Sequence, residues 1–285
     1  MQEFDILILG AGWTSTFLIP LIKARGLTHA ATSTSGRDDT IKFKFDPSAT
    51  DQSYFSVLPN ARNVLITFPL VGTGQSENLV SSYRSTHKRI SAGPHFLQLG
   101  STGIYQIPDQ PLWVTRHSKY DTSNKRAVAE DELRGLHGCV LNLAGLWGGE
   151  REPKKWVDRV AGSKEQVKGK ASLHMVHGQD VARAILAIFE KWDADKASGQ
   201  RWMLTDGIVY DWWELFVGWA NSGSSESSES AHKDAEPSRQ SRWVYELMQE
   251  EDVKALPRSM EQLGRCYDSR EFWQTFGLTP LRSRI

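Results

Sequence analysis

The sequence predicts an α/β fold, a doubly wound parallel sheet with a smaller C-terminal part. Three observations lead there. The apolar run Phe4-Asp5-Ile6-Leu7-Ile8-Leu9 ends abruptly in Gly10-Ala11-Gly12-Trp13-Thr14-Ser15. Short apolar runs then alternate with helical stretches as far as Leu143. Beyond them, Val181, Ala184, Ile185, Ile188 and Phe189 follow the spacing of one buried helix face. Repeated β-α units give parallel sheets covered on both faces, with ligand sites at the carboxyl ends of the strands.

After the first strand, residues 14–25 read as a helix, 28–34 as a second strand, 41–45 as a short third and 63–68 as a fourth. Residues 95–100 and 139–143 read as the fifth and sixth strands, with a helix over 123–136 between them. From residue 145 the pattern changes: a helix at 154–161, the His-rich Leu173-His174-Met175-Val176-His177, and a helix at 180–191 with Asp180 as its expected N-cap. Residues 201–205 read as a strand, 211–220 as a Trp-rich helix, and 243–256 and 269–276 as closing helices. Residues 221–242 are polar and low in complexity; they cannot bury enough apolar surface to offset the entropy of ordering, and read as a flexible surface insertion.

Composition narrows the function classes. Of 285 residues, Lys plus Arg and Asp plus Glu are both 34, so the net charge is zero and no global field draws nucleic acid or anionic membrane. Neither is expected as a partner, and the sequence leaves the oligomeric state open. Cys139 and Cys266 cannot build a disulfide framework, which suits a reducing compartment. With no leader and no apolar run of the ~18 residues that a membrane helix needs, a cytoplasmic location is expected. Seven tryptophans (Trp192, Trp202, Trp212, Trp213, Trp219, Trp243 and Trp273) lie beyond residue 190. They are expected mostly as core, with a minority lining a substrate cleft.

The first turn carries the strongest chemistry. A strand that stops at Gly-x-Gly and feeds a helix presents bare backbone N–H groups at the positive end of the helix dipole, where a pyrophosphate can sit. The third position of the G-x-G-x-x-G pattern is Ser15, still small enough for close helix–strand packing. A dinucleotide is therefore expected, on a binding core over 1–150. Residues 151–285 are expected to return to the sheet and form a cleft for a small-molecule substrate. His174 and His177 lack further ligands at metal spacing, so no metal site is predicted. A Gly-x-Ser-x-Gly elbow, a Walker lysine and paired cysteines are also missing.

Four segments, in order, resemble the extended and atypical short-chain dehydrogenase/reductase superfamily, in its epimerase/dehydratase branch, a Rossmann fold. They are Gly10-Ala11-Gly12-Trp13-Thr14-Ser15, Leu99-Gly100-Ser101-Thr102-Gly103-Ile104-Tyr105, Leu141-Asn142-Leu143-Ala144-Gly145-Leu146-Trp147-Gly148, and Met175-Val176-His177-Gly178-Gln179-Asp180-Val181-Ala182-Arg183-Ala184-Ile185. The resemblance implies a phosphate loop including Trp13 and Thr14, the catalytic Ser or Thr strand, the strand-loop beside the nicotinamide with Trp147, and a helix start. It also places Asp46 where the family holds adenine, and Thr67-Phe68-Pro69 under the adenosine ribose. The end of the second strand reads Thr32-Ser33-Thr34-Ser35-Gly36-Arg37, with no carboxylate before Asp38. NADP(H) is therefore favoured over NAD(H), with Arg37 and the hydroxyls of Ser33 or Ser35 on the 2′-phosphate.

Catalysis departs from the family pattern. Ser101 fits the polarising serine, but the Tyr-x-x-x-Lys pair is missing. Aligning Glu130 with the family glutamate puts Arg126 in the Lys place and Thr122 in the Tyr place. Tyr120 and Lys125 stand five apart and could act together only with Tyr120 on the loop before the helix. The expected function is an NADP(H)-dependent oxidoreductase or epimerase-like enzyme on a small hydroxyl- or carbonyl-bearing substrate, with Ser101, Tyr120 and Lys125 as catalytic candidates. The rival readings are an NADP(H)-binding sensor or scaffold and a non-redox isomerase or lyase.

Overall fold

A computed structural model describes residues 3–49, 51–87, 93–220 and 237–285, without the side chain of Ala220. Strands β1 (Phe4–Leu9), β2 (His29–Ser33), β3 (Ile41–Lys42), β4 (Ala61–Ile66), β5 (His95–Ser101), β6 (Trp113–Val114), β7 (Cys139–Leu143), β8 (Gly145–Trp147), β9 (Ser172–Leu173), β10 (Met175–His177), β11 (Arg201–Leu204), β12 (Tyr210–Asp211) and β13 (Cys266–Tyr267) follow in chain order. Seven of them form one parallel sheet in the order β3-β2-β1-β4-β5-β7-β11. The other six pair off as three small two-stranded sheets.

Side chains alternate across this sheet, so each central strand needs apolar residues on both faces. Ile6, Ile8, Leu65, Leu97, Leu99 and Leu141 face one way, onto α1 (Trp13–Ala24). Leu7, Leu9, Val64, Ile66, Phe96 and Val140 face the other, onto α2 (Gln75–Thr86) and α3 (Lys125–Gly135). The short α4 (Val157–Val160) and α5 (Lys164–Lys168) lie in the chain before α6 (Gly178–Glu190), which packs beside α1. A second core gathers Trp212, Trp213 and Phe216 of α7 (Trp212–Ala220) against Val244 and Leu247 of α8 (Arg239–Glu250). The short α9 (Met260–Leu263) precedes α10 (Arg270–Phe276), whose Phe272, Trp273 and Phe276 return to the α1–α6 side of the sheet.

Several elements differ from expectation. Helix α2 lies where the sequence suggested none: only Leu79, Val80 and Tyr83 anchor a segment otherwise dominated by Ser, Thr and charged or amide residues. The polar segment expected to run from 221 to 242 ends earlier. Residues 221–236 lie outside the described residues, but Ser238 caps α8 and Gln240 is buried, its amide donating to Asp158 (3.0 Å) and to the Ala161 carbonyl (3.2 Å). Helix α6 starts before Asp180 and is capped by His177, whose Nδ1 accepts from Gln179 N–H at 3.1 Å. Asp180 is instead fully buried and accepts from the backbone of Leu281 and Arg282. Among the described residues no helix is long and apolar enough to cross a membrane.

Candidate active site

The strand order changes direction between β1 and β4, and open α/β sheets take ligands in the crevice beyond such a point. Two cavities open there, of about 720 and 340 Å³, and both are lined by Gly12 and Trp13.

The glycine turn is built for close approach. Gly10 has φ +94°, and a Cβ there would fall 2.6 Å from Thr67 Oγ1. Thr67 fastens the turn by donating to the carbonyl of Leu9 or Gly10, at 3.0 and 2.6 Å. Gly12 is the N-cap of α1, with no side-chain cap and no acidic residue in the first turn. A Cβ at Gly12 would meet nothing within 4 Å. Ser15 adds a buried hydroxyl without a hydrogen-bond partner, and Thr14 lines the smaller cavity. Uncapped helix N–H groups, open space at Gly12 and an orphaned hydroxyl together fit a phosphate group.

A loop from the end of β8 closes over this turn. Trp13 Nε1 donates to the Gly148 carbonyl at 3.0 Å, and the Arg151 guanidinium lies 4.4 Å from the Trp13 ring centroid. Gly148 has φ +106°, and a Cβ there would fall 2.3 Å from His177 Nε2. Sequence reasoning missed Gly149, Glu150 and Arg151 as lining residues; the Gly148-Gly149 pair was the available signal.

The larger cavity runs past Arg37, Asp38 and Thr40. Arg37 Nη2 donates to the Ala11 carbonyl at 3.2 Å, and Nη1 stands 3.5 Å from the Asp38 carboxylate. Ser33 does not face a ligand. Its buried hydroxyl accepts from Gly36 N–H (2.9 Å) and Arg37 N–H (3.2 Å) and bonds Thr40 Oγ1 (2.7 Å), which spends it on shaping the turn. Ser35 is exposed and outside the lining of both cavities. Asp46 is also outside, because its carboxylate accepts from the Ser48 backbone (2.9 Å) and hydroxyl (2.6 Å). Thr67 lines the smaller cavity; Phe68 stacks on Phe45 with centroids 6.1 Å apart, and Pro69 is exposed.

In the smaller cavity Ser101, at the end of β5, accepts from Gly103 N–H at 3.1 Å. That bond occupies an oxygen lone pair and leaves the hydroxyl proton to donate elsewhere. Behind it, a Cβ on Gly100 would fall 2.4 Å from Asn142 Nδ2 and 2.5 Å from Glu130 Oε1. Buried Glu130 accepts from Asn142 Nδ2 (2.8 Å) and Arg201 Nη2 (3.3 Å), while burial pushes its carboxyl above the usual range. Arg126, one helical turn before Glu130, lines the cavity with Arg151.

Tyr120 and Lys125 are not the acid–base pair of this cleft. The Tyr120 hydroxyl donates to the Asp131 carboxylate (2.9 and 3.0 Å), and the Arg201 guanidinium lies 4.3 Å from its ring centroid. These contacts hold Tyr120 in a separate cavity of about 240 Å³ with Arg116 and Arg134. Lys125 is exposed at the start of α3, and Thr122 is exposed before it. Tyr105 is buried, donates to the Arg116 carbonyl at 3.2 Å, and has its phenol pushed up by burial. Trp147 turns away too: neighbouring side chains of a strand point oppositely, so Leu146 lines the cleft while Trp147 packs edge-on against His177 and joins the second core. Among the described residues no tryptophan beyond residue 190 lines either cavity, because the C-terminal aromatics pack into the two cores.

His174 accepts from Tyr267 N–H at 3.0 Å, and burial lowers its pKa to about 3. Among the described residues no group of three or more His, Cys, Asp or Glu side chains could hold a metal.

Comparison of the sequence with protein-family models and with curated proteins finds no match. Solved structures do match over nearly the whole chain. Vestitone reductase from alfalfa (Medicago sativa L.) shares 15% identity at a TM-score of 0.67, covering 98% of this chain and 94% of its own. UDP-glucose 4-epimerase from Thermus thermophilus, solved with NAD, shares 13% at 0.57, covering 99% and 95%. RMD from Pseudomonas aeruginosa, solved with NADPH, shares 13% at 0.57, covering 98% and 93%. The parallel seven-stranded sheet, its direction change at the glycine turn and these likenesses together give this chain a Rossmann-like α/β fold, shared with these reductase and epimerase structures.

Proposed function

We propose that the protein is a member of the extended short-chain dehydrogenase/reductase superfamily: an NADP(H)-dependent oxidoreductase or epimerase-like enzyme acting on a small hydroxyl- or carbonyl-bearing molecule. The observation that carries this reading is one cavity of about 340 Å³ lined both by the uncapped glycine turn, Gly12 to Thr14, and by Ser101. The turn would hold the pyrophosphate, and Ser101 would donate a hydrogen bond to the reacting oxygen. When bound, the nicotinamide supplies or accepts the hydride. Leu143, Ala144 and Leu146 form an apolar wall of the cleft. Among the described residues no phenol lines the cavity, so the proton that accompanies hydride would come from water.

The preference for NADP(H) rests on Arg37, which faces the larger cavity with no acidic side chain at residues 32–36. Asp38 opposes it, since its carboxylate pairs with Arg37 and would repel a 2′-phosphate. Replacing Asp38 by Ala should tighten NADPH without changing NADH, and Arg37→Asp should reverse the preference, both read by fluorescence titration. Equal affinities for NADPH and NADH in the parent would sink the assignment.

A second reading is supported by the seat of Tyr120 on Asp131, which leaves the cleft without the usual phenol. In that reading the chain holds the dinucleotide as a sensor or scaffold without turnover. Steady-state assays with a panel of carbonyl compounds separate the two: NADPH oxidation that falls in Ser101→Ala supports the enzyme. Tight binding without oxidation of NADPH supports the sensor.

A further inference from the structure

The cleft is unusual in its charges. Among the described residues Arg126 and Arg151 are the only titratable side chains lining the smaller cavity, and no carboxylate joins them. Arg151 is stacked on Trp13 at the phosphate turn, which places it for the dinucleotide. Arg126 has no such aromatic partner at the phosphate turn. Its Nε is buried without a hydrogen-bond partner, and its guanidinium forms no ion pair among the described residues. Glu130, one turn away, spends Oε2 on Asn142 and Arg201 and leaves Oε1 without a hydrogen-bond partner; it meets Arg126 through charge alone, and the two form no ion pair. Arg126 also sits in the first turn of α3, beside Lys125 and with no acidic residue there. Two cations at the positive end of a helix dipole are unfavourable unless an anion joins them.

We propose that the substrate is a small oxo or hydroxy acid, its carboxylate paired with the Arg126 guanidinium and its neighbouring oxygen held by Ser101. This rests on the dinucleotide reading above and names its substrate class. A planar fork of N–H donors matches a carboxylate at two points, and the adjacent hydroxyl donor matches a carbonyl oxygen. The cavity of about 340 Å³ must also admit the nicotinamide end of the cofactor, which keeps the acid small. The reduction balances as oxo acid, NADPH and a proton giving hydroxy acid and NADP⁺. Hydride adds to the carbonyl carbon, and the oxygen takes the proton from water.

Calorimetric titration with oxalate, with and without saturating NADPH, tests the assignment. Oxalate should bind the NADPH-loaded protein, and Arg126→Gln should weaken it by about tenfold or more, as expected for loss of a charge-assisted pair. Arg126→Lys should keep the fold and the charge and lose less. Absence of oxalate binding to the NADPH-loaded parent, equal binding in Arg126→Gln, or stronger binding of inorganic phosphate than of oxalate overturns the proposal. A protein that holds oxalate through Arg126 but takes no NADPH refutes the dinucleotide reading while supporting the anion site.

Discussion

Individual residues divide into those that shape the site and those that face a ligand, and glycines separate the two best. Gly12 has open space where a Cβ would go, so Gly12→Val should fold normally and lose dinucleotide binding. Gly100 has none: Gly100→Ala would press Asn142 and Glu130 and should cost about 1–3 kcal/mol in chemical denaturation, as overpacking does. Ser101→Ala removes the hydroxyl at the end of β5 that lines the cleft, and turnover should fall at least about tenfold, equivalent to ~1.4 kcal/mol in the barrier. A variant that turns over like the parent contradicts that role. The glycine turn and Ser101 were legible because their chemistry follows from local order along the chain. The roles of Ser33 and Tyr120 were not, since they depend on Thr40 and Asp131, partners that only the folded chain supplies.

At the scale of elements, periodicity marked what is strongly apolar and overlooked what is not. Helix α6 stands out because ten of its thirteen residues are buried, whereas α2 rests on three large apolar side chains among polar ones. Boundaries shifted where capping decided them: Ser238 starts α8 and His177 starts α6, each before its apolar run begins. Asp180 shows what an element gains from a buried carboxylate. It binds Arg183 at 2.8 Å and the backbone N–H groups of Leu281 and Arg282, and so fastens the C-terminal segment to α6. Asp180→Ala should lower stability by about 2–3 kcal/mol, the scale of lost hydrogen bonds to a charged group. It should also expose residues 278–285 to proteolysis. Unchanged cleavage of that segment would contradict the anchoring role.

For the whole molecule, two buried groups give stability opposing pH dependences. Burial raises Asp206 from 3.8 to about 6, so the folded state binds the proton more tightly and stability falls as pH rises from about 4 to 6. Burial lowers His174 from 6.5 to about 3, so stability falls as pH drops through that window. Asp206→Asn should remove the first effect and make stability rise more steeply with pH between about 4 and 6. A denaturation series in which the slope does not steepen would contradict this. The α/β class was legible because the sheet strands read as short apolar runs with the helices α1, α3 and α6 between them. The loop at 149–151 was not, because it reaches the glycine turn from far along the chain. A dinucleotide seated at the glycine turn is tested most directly by NADPH titration of the parent beside Gly12→Val. Saturable binding is expected in the parent and none in a Gly12→Val protein of unchanged melting temperature. Equal binding by the two would contradict it.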